Sequence, residues 1–197
     1  MLSKFIRRSH MYLALFLSPW LLMYAVSTVV MNHREVFVEK YGSAAPPYEK
    51  ERELTFEVAF PVGANPAQMA RQILDSLDLD GAHTVARRGD GTLVITRNDL
   101  LTPRRITFVP ATQLLTIEKI GPRTNALLER FHRRRGYATG YGFDTAWAVT
   151  VDVVIVALLV WVVSGMWMWW EMKSTRVAGA AAAVIGAALF AFLVFQI

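Results

Sequence analysis

Three histidines at the boundaries of apolar stretches are the residues best suited to bind a redox cofactor: His10, His33 and His132. Haem b inside a bilayer is held by axial side-chain ligands, and imidazole is the usual one. His10 and His33 would lie about 35 Å apart along one helix, so they cannot share an iron. His33 and His132 are expected at the same boundary and are the pair that could hold one haem, whereas His10 has no histidine partner at its own boundary. Histidines at a membrane boundary are also ordinary amphipathic residues, and this interpretation stays open.

A carboxylate, Asp152, interrupts an otherwise uncharged apolar stretch. An Asp near the centre of a bilayer costs about 2.5–3.5 kcal/mol on the insertion scale, and such residues usually face the bundle interior and pair with another group. The predicted partners are Asn32, His33 or an arginine of residues 133–135. The alternative is a role in proton relay or cofactor contact.

Four arginines form a basic run before the second apolar stretch, hereafter the arginine run: Arg130, Arg133, Arg134 and Arg135. We expect it to contact anionic headgroups or an acidic partner, or to be a solvated anchor. The tryptophans at the end of that stretch are typical of an interfacial belt, and Trp161 alone lies deep enough to line a cofactor. Binding of nucleic acid is not expected.

Other catalytic chemistry has no support in the sequence. There is no cysteine, which excludes disulfides, thiolate metal sites, iron–sulfur clusters and c-type haem attachment. No nucleophile–base pattern, phosphate loop or metal-ligand cluster is present. We therefore predict no catalytic residues and no metal site.

Three apolar stretches must position these candidates. Residues 11–31 and 177–197 carry no charge, and residues 145–170 carry only Asp152. Each stretch can cross the roughly 30 Å hydrocarbon core as a helix. The hydrophobic share of 54% and mean hydropathy of +0.32 agree with a membrane protein. The first stretch is predicted to be an uncleaved signal anchor, because no small-residue cleavage site follows it.

Charge predicts the orientation. The N-terminal segment 1–10 carries Lys4, Arg7 and Arg8, and the short link 171–176 carries Lys173 and Arg176. Short basic segments stay in the cytoplasm, so we expect the N-terminus inside and the C-terminus outside. The arginine run lies on the predicted outer side and is the one feature that conflicts with this orientation.

The long polar loop predicts a small extracytoplasmic α+β domain at residues 53–120. A linker at 32–52 precedes it and a basic juxtamembrane segment at 121–144 follows it. Alternation over 54–60 predicts a strand, and Asn65-Pro66 begins a helix that ends at Asp80-Gly81. Four further short strands are predicted at 83–87, 92–97, 104–109 and 113–119. The expected fold is one helix against an antiparallel sheet of four or five strands.

Several segments together resemble PepSY-associated transmembrane proteins. The run RRITFVPATQLLTIEKI is similar to the last hairpin of a PepSY domain, and the flanking apolar segments resemble the membrane helices of the family over residues 5–176. The residues that carry the resemblance are His10, Asn32-His33, Ser164-Gly165 and Met168-Trp169-Trp170. Larger members have a fourth span. The resemblance implies, for some members, a haem-containing reductase of iron–siderophore uptake, and for the PepSY domain alone, inhibition of secreted peptidases.

The sequence thus predicts a non-enzymatic accessory protein that presents a PepSY-like domain to the periplasm. The alternative is a b-haem electron-transfer subunit linked to iron–siderophore reduction, which would make the chain a component of a membrane reductase. Expected partners are the lipid bilayer and another membrane or periplasmic protein. The small-residue face Ala182-xxx-Gly186 of the third stretch could also join two copies or pack on the other spans.

Overall fold

The computed structural model describes residues 2–43, 45–134, 136–137 and 139–197, with the side chain of residue 2 left out. The helices in this part of the chain are α1 Leu2–Asn32, α2 Arg34–Tyr41, α3 Pro66–Ser76, α4 Thr124–Arg133, α5 Gly142–Glu171 and α6 Arg176–Gln196. The strands are β1 Tyr48–Thr55, β2 His83–Arg87, β3 Leu93–Arg97, β4 Arg104–Val109 and β5 Leu114–Ile120. The chain divides into a helical unit, Met1–Leu21 with Val151–Ile197, and a sheet unit, Leu22–Thr150.

Three helices are long and apolar enough to cross a membrane, namely α1, α5 and α6 together with the short turn before it. They confirm the three predicted spans by length and composition. In the helical unit α1 and α5 run antiparallel, and Leu17 packs with Val154 and Ala157. At one end Ser3 Oγ donates to Glu171 at 2.7 Å. The basic N-terminal segment and the link between α5 and α6 therefore lie at the same end of this unit.

The turn between α5 and α6 is fixed by an indole ring. Trp169 Nε1 donates to the Thr175 carbonyl at 3.3 Å. The same ring covers Gly179, where an added Cβ would lie 1.9 Å from Trp169 Nε1. Gly179 is therefore needed for the close approach of the two helices. The rest of α6 buries no residue among those described, so its apolar side chains face outward, as expected for a lipid-exposed helix.

The sheet unit contains a five-stranded antiparallel sheet with strand order β1-β5-β4-β3-β2. Ile95, Ile106 and Ile117 are register partners on adjacent strands and form the centre of the core. α3 closes this face with three buried residues, Ala70, Ile73 and Leu74. The fold confirms the predicted small antiparallel sheet with a packed helix.

The start of α3 follows from its sequence. Asn65 accepts a hydrogen bond from the Gln68 backbone at 2.9 Å, and the Gln68 side chain accepts from the Asn65 backbone at 3.0 Å. This capping box satisfies two amide groups at the helix start, and Pro66 occupies the first turn, where its missing N–H costs nothing.

Several predicted elements differ from the structure. The strand expected at 54–60 is displaced: β1 ends at Thr55, and Phe56 and Phe60 instead pack their rings against Phe108, at 5.8 and 5.5 Å between centroids. The alternation therefore came from core packing at the end of the sheet. The predicted linker 32–52 contains α2 and the first residues of β1. α3 ends at Ser76, before the predicted stop at Asp80-Gly81.

Candidate functional site

Arg134, at the C-terminal end of α4, joins three parts of the sheet unit. Its guanidinium pairs with the Asp144 carboxylate in the first turn of α5 and donates to the Asn98 carbonyl at 3.4 Å. The Asp144 side chain is almost fully buried, and its second oxygen accepts from Thr139 Oγ1 at 2.8 Å. This ion pair ties the loop after β3 and the end of α4 to the start of α5. The sequence identified Arg134 but not its partner.

Gly136 makes this junction possible. A Cβ at this position would lie 2.0 Å from Ala148 Cβ and 2.8 Å from Ala148 Cα, far below any ordinary contact. The backbone after α4 therefore passes directly over the first turns of α5. Only a residue without a side chain can occupy this position without displacing one of the two segments.

The arginine run borders a cavity of about 330 Å³ in the sheet unit. Arg130, Arg133 and Arg134 line it from one side, and Thr84, Asn98 and Asp99 from the sheet. Arg133 also pairs with Glu129 at 3.3 Å and is largely exposed. Arg135, the fourth member of the run, lies outside the described residues.

Arg130 differs from Arg133 and Arg134 in having no ion pair with any of the described residues. Its Nε and Nη2 atoms are buried and donate no hydrogen bond within the described part of the chain. Burial lowers the pKa of the Arg130 guanidinium, and the nearby Tyr48 hydroxyl acts in the opposite direction. A partly buried cation without an acceptor is unfavourable, so this side chain is a candidate for a ligand contact.

His132 is held by α1. Its Nδ1 lies 2.8 Å from Ser27 Oγ, and its ring meets Tyr24 edge-on at 5.1 Å. Ser27 Oγ donates its single hydrogen to the Tyr24 carbonyl at 3.0 Å. When the hydroxyl donates to this carbonyl, Nδ1 of His132 is the donor in the histidine–serine contact, and the other tautomer reverses that contact. With Nδ1 as the donor, Nε2 of the neutral ring carries the lone pair that can bind a metal.

His10 has the same arrangement in the helical unit. Its Nδ1 lies 2.8 Å from Ser164 Oγ, and Ser164 donates its hydrogen to the Trp161 carbonyl at 2.8 Å. The imidazole stacks on the Trp161 ring with centroids 5.2 Å apart. It also lies close to Gly165, where an added Cβ would be 3.2 Å from His10 Cε1. Two sequence features that carried the family resemblance, His10 and Ser164-Gly165, are therefore in contact. Ser27 and Ser164 were not predicted from the sequence as site residues. The signal that could have identified them is a hydroxyl group within an apolar span.

His33 has a different environment. It lies at the N-cap of α2, where its side chain makes no cap hydrogen bond, and it is exposed. Within the described residues no hydrogen bond or ring contact joins it to His132, so the predicted bis-histidine pair stays a prediction.

Asp152 lies on an exposed face of α5 in the helical unit. Its neighbours Val154 and Ala157 are among the residues of α5 that pack on α1. The predicted pairing of Asp152 with Asn32, His33 or residues 133–135 stays a prediction. Trp161 stacks on His10, and a role for it in lining a cofactor stays a prediction.

Several charged residues of the sheet are paired with one another. Arg104 Nε lies 2.8 Å from a Glu51 oxygen, and this hydrogen bond lowers the pKa of the Glu51 carboxyl. Arg105 Nε lies 2.7 Å from Glu118, which raises the pKa of the Arg105 guanidinium. These shifts hold each group in its charged form. Within the described residues no group of three or more His, Cys, Asp or Glu side chains is placed to hold a metal.

Comparison with known proteins gives one match. A family model described as "Putative PepSY_TM-like" matches residues 1–197. This confirms the resemblance to PepSY-associated transmembrane proteins. No curated protein and no solved structure matches the chain.

Proposed function

Because the chain belongs to the putative PepSY_TM-like family, we propose that it is a bacterial inner-membrane protein that presents a PepSY-like domain to the periplasm and acts through a protein partner rather than by catalysis. Its N-terminus is cytoplasmic and its C-terminus periplasmic. The sheet unit supplies the binding surface, and the three spans hold it at the membrane.

The end of the helical unit supports this orientation. Arg7 lies 3.9 Å from Glu171, next to the Ser3–Glu171 hydrogen bond. Lys173 follows directly in the link to α6. Since basic groups of the N-terminal segment and of the link gather at one end of the unit, the positive-inside rule applies to both together.

One observation carries the partner role: the two edges of the sheet differ. β1 has a bulge between Lys50 and Arg52 and mostly exposed, charged side chains, which are features that block pairing with another strand. β2, the opposite edge, is short and regular, and Thr84 and Ala86 are exposed. Within the described residues no strand covers the outer side of β2. It can therefore accept an extended segment of a partner by backbone pairing.

Two carboxylates of the sheet unit, Glu51 and Asp90, are held in their charged form by local hydrogen bonds. A general acid at neutral pH needs a raised carboxyl pKa. Here the pKa of Glu51 is lowered by the hydrogen bond from Arg104, and the pKa of Asp90 is lowered by its hydrogen bonds with Thr92. Both carboxylates are held as acceptors in local structure.

Site-specific photocrosslinking tests the partner role. A photoreactive amino acid at Ala86 should give a discrete protein adduct in intact cells, because that side chain lies beside the open edge. The same amino acid at Glu53, which is exposed on β1, is the matched control and should give much less. Equal adducts at both positions, or none at Ala86, would contradict binding at the β2 edge.

A second candidate function is that of a b-haem electron-transfer subunit linked to iron–siderophore reduction. It is favoured by the serine contacts of His132 and His10, which hold each ring through Nδ1 and leave Nε2 for a ligand. Hydrogen bonds to the nitrogen that does not bind the metal orient histidine ligands. His132 with His33 would hold the iron, and the haem would supply one-electron transfer.

A reduced-minus-oxidised spectrum distinguishes the two functions. Haem ligation by His132 predicts a Soret band and an α-band in the purified protein from haem-replete cells. Both bands should be lost in His132→Ala or His33→Ala and kept in His83→Ala, whose ring lies in the sheet domain and contacts the Gly81 carbonyl at 3.0 Å. A purified protein without these bands rejects the electron-transfer function.

A further inference from the structure

The cavity beside the arginine run has an unbalanced charge. Two carboxylates line it, Asp99 and Asp144, and both have partners. Asp144 pairs with Arg134, and Asp99 accepts from Arg97 Nη2 at 3.0 Å and lies 3.9 Å from Arg104. Both carboxylates of the cavity are therefore already paired with arginines other than Arg130.

The positive charge that remains belongs to Arg130. Arg133 has Glu129 as its neighbour, but Arg130 has no carboxylate partner within the described residues, and two of its nitrogens make no hydrogen bond. Arg130 and Arg133 are separated by one helical turn of α4 and both border the cavity. An anion in the cavity would supply the acceptor that the fold does not.

The cavity has polar residues on its sheet side and room for more than a simple ion. Thr84 and Asn98 line that side together with Leu100 and Pro103. Its volume of about 330 Å³ falls at the lower end of small-molecule sites, which span roughly 300–1,000 Å³. A phosphate ester suits this lining better than a carboxylate, because it has more acceptor oxygens for guanidinium and hydroxyl donors.

Its position within the sheet unit points to a membrane boundary. Asp144 lines the cavity from the first turn of α5, just before the apolar stretch begins. A neighbouring cavity of about 370 Å³ shares Arg134 and Asn98 with it and is lined by Tyr141, Phe143 and Trp147. Aromatic residues at the start of a membrane helix mark the headgroup level.

We propose that this cavity binds a phosphate group, with Arg130 as the main cationic contact and Arg133 at the rim. The phosphate belongs to an anionic lipid headgroup or to a soluble phosphate, and the chemistry at Arg130 is the same for both. This site adjoins the β2 edge proposed for partner binding, because Thr84 of β2 lines the cavity.

The test uses the full chain purified in an uncharged detergent. Its melting temperature is followed by tryptophan fluorescence while phosphatidylglycerol, phosphatidylcholine or inorganic phosphate is added, and the shifts give an apparent Kd. Arg130→Gln should weaken phosphate binding by about tenfold or more, the loss expected for a charge-assisted hydrogen bond. Arg130→Lys should retain part of it. Arg87→Gln is the matched control, because it removes the same charge from exposed β2 outside the cavity.

The outcomes separate the sources. A shift with phosphatidylglycerol alone assigns the site to a lipid headgroup, and a shift with inorganic phosphate assigns it to a soluble phosphate. Either supports the proposal if Arg130→Gln abolishes the shift and Arg87→Gln keeps it. No shift with any probe, or equal loss in both variants, overturns it. An Arg130→Gln protein that melts well below the unchanged chain yet keeps its ligand shift would identify Arg130 as structural and also overturn the proposal.

Discussion

The sheet unit buries its apolar residues in a packed core, whereas much of the apolar surface of the helical unit is exposed. In the sheet unit, Leu93, Ile95, Ile106 and Leu115 are fully buried between the strands and α3. In the helical unit, α6 buries no described residue. The first unit is built to exclude water and the second to be solvated by hydrocarbon. The same apolar substitution should therefore have very different effects in the two units.

The largest expected effect is in the sheet core. Ile106→Ala should lower the free energy of unfolding of the sheet unit by roughly 2–5 kcal/mol, because it leaves a cavity among packed side chains. Leu189→Ala on exposed α6 should change it little. Pulse proteolysis of the full chain in urea and detergent measures both. Equal losses would contradict the contrast between the units.

The next effect concerns the ion pair at the junction of α4 and α5. Asp144→Asn removes the partner of half-buried Arg134 and should destabilise the sheet unit by about 3 kcal/mol, as for other buried pairs that lose one member. Trypsin cleavage within residues 130–135 should become faster. Asp75→Asn, on exposed α3 surface, is the control. Unchanged cleavage in Asp144→Asn would show that the pair does not hold this junction.

A smaller effect is expected at Gly136. Gly136→Ala places a Cβ against Ala148 and should cost about 1–3 kcal/mol through overpacking. Gly142→Ala is a matched control, because nothing lies within 4 Å of its Cβ position. The melting temperature of the full chain should fall for the first variant and not for the second. A fall of the same size in both would mean that the contact with Ala148 is not the cause.

The smallest effect is acid loss of the Glu51–Arg104 pair. The pKa of Glu51 is below its usual value of 4.5, so the pair stabilises the sheet unit above about pH 4.5 and is lost as the pH falls through the lowered pKa. Because both side chains are partly exposed, the contribution is at most about 1 kcal/mol. Glu51→Gln should remove this part of the acid sensitivity. Urea unfolding between pH 3 and 6 checks it, and an unchanged pH slope would contradict it.

The sequence was most informative where a local rule applies. Asn65-Pro66 predicted the start of α3. The uncharged stretches predicted the three spans, and the short turns predicted β2 to β5. β1 was displaced because it is an edge strand whose side chains, YEKERELT, are mostly exposed, so no alternation marks it. α2 was missed for a similar reason, since it buries none of its residues.

The site was predictable only in part, because its contacts join residues far apart in sequence. The arginine run stood out by charge, but its pairing with Asp144 depends on the close passage of Gly136 over α5. A hydroxyl in an apolar stretch marks Ser27 and Ser164 as candidates, but only the packing of the helices gives their contacts with His132 and His10. Arg130 is seen to have no carboxylate partner among the described residues only when the ion pairs of Asp99 and Asp144 are known.

We propose that the sheet domain lies outside the cytoplasm and that the link between α5 and α6 lies inside. The chain has no cysteine, so single cysteines report without background. Gly89→Cys in the turn after β2 and Ser174→Cys in the link are to be treated with a membrane-impermeant maleimide in intact spheroplasts. We predict labelling at position 89 without disruption and at position 174 only after the membrane is permeabilised. Labelling at position 174 in intact spheroplasts, with position 89 protected, would contradict the claim.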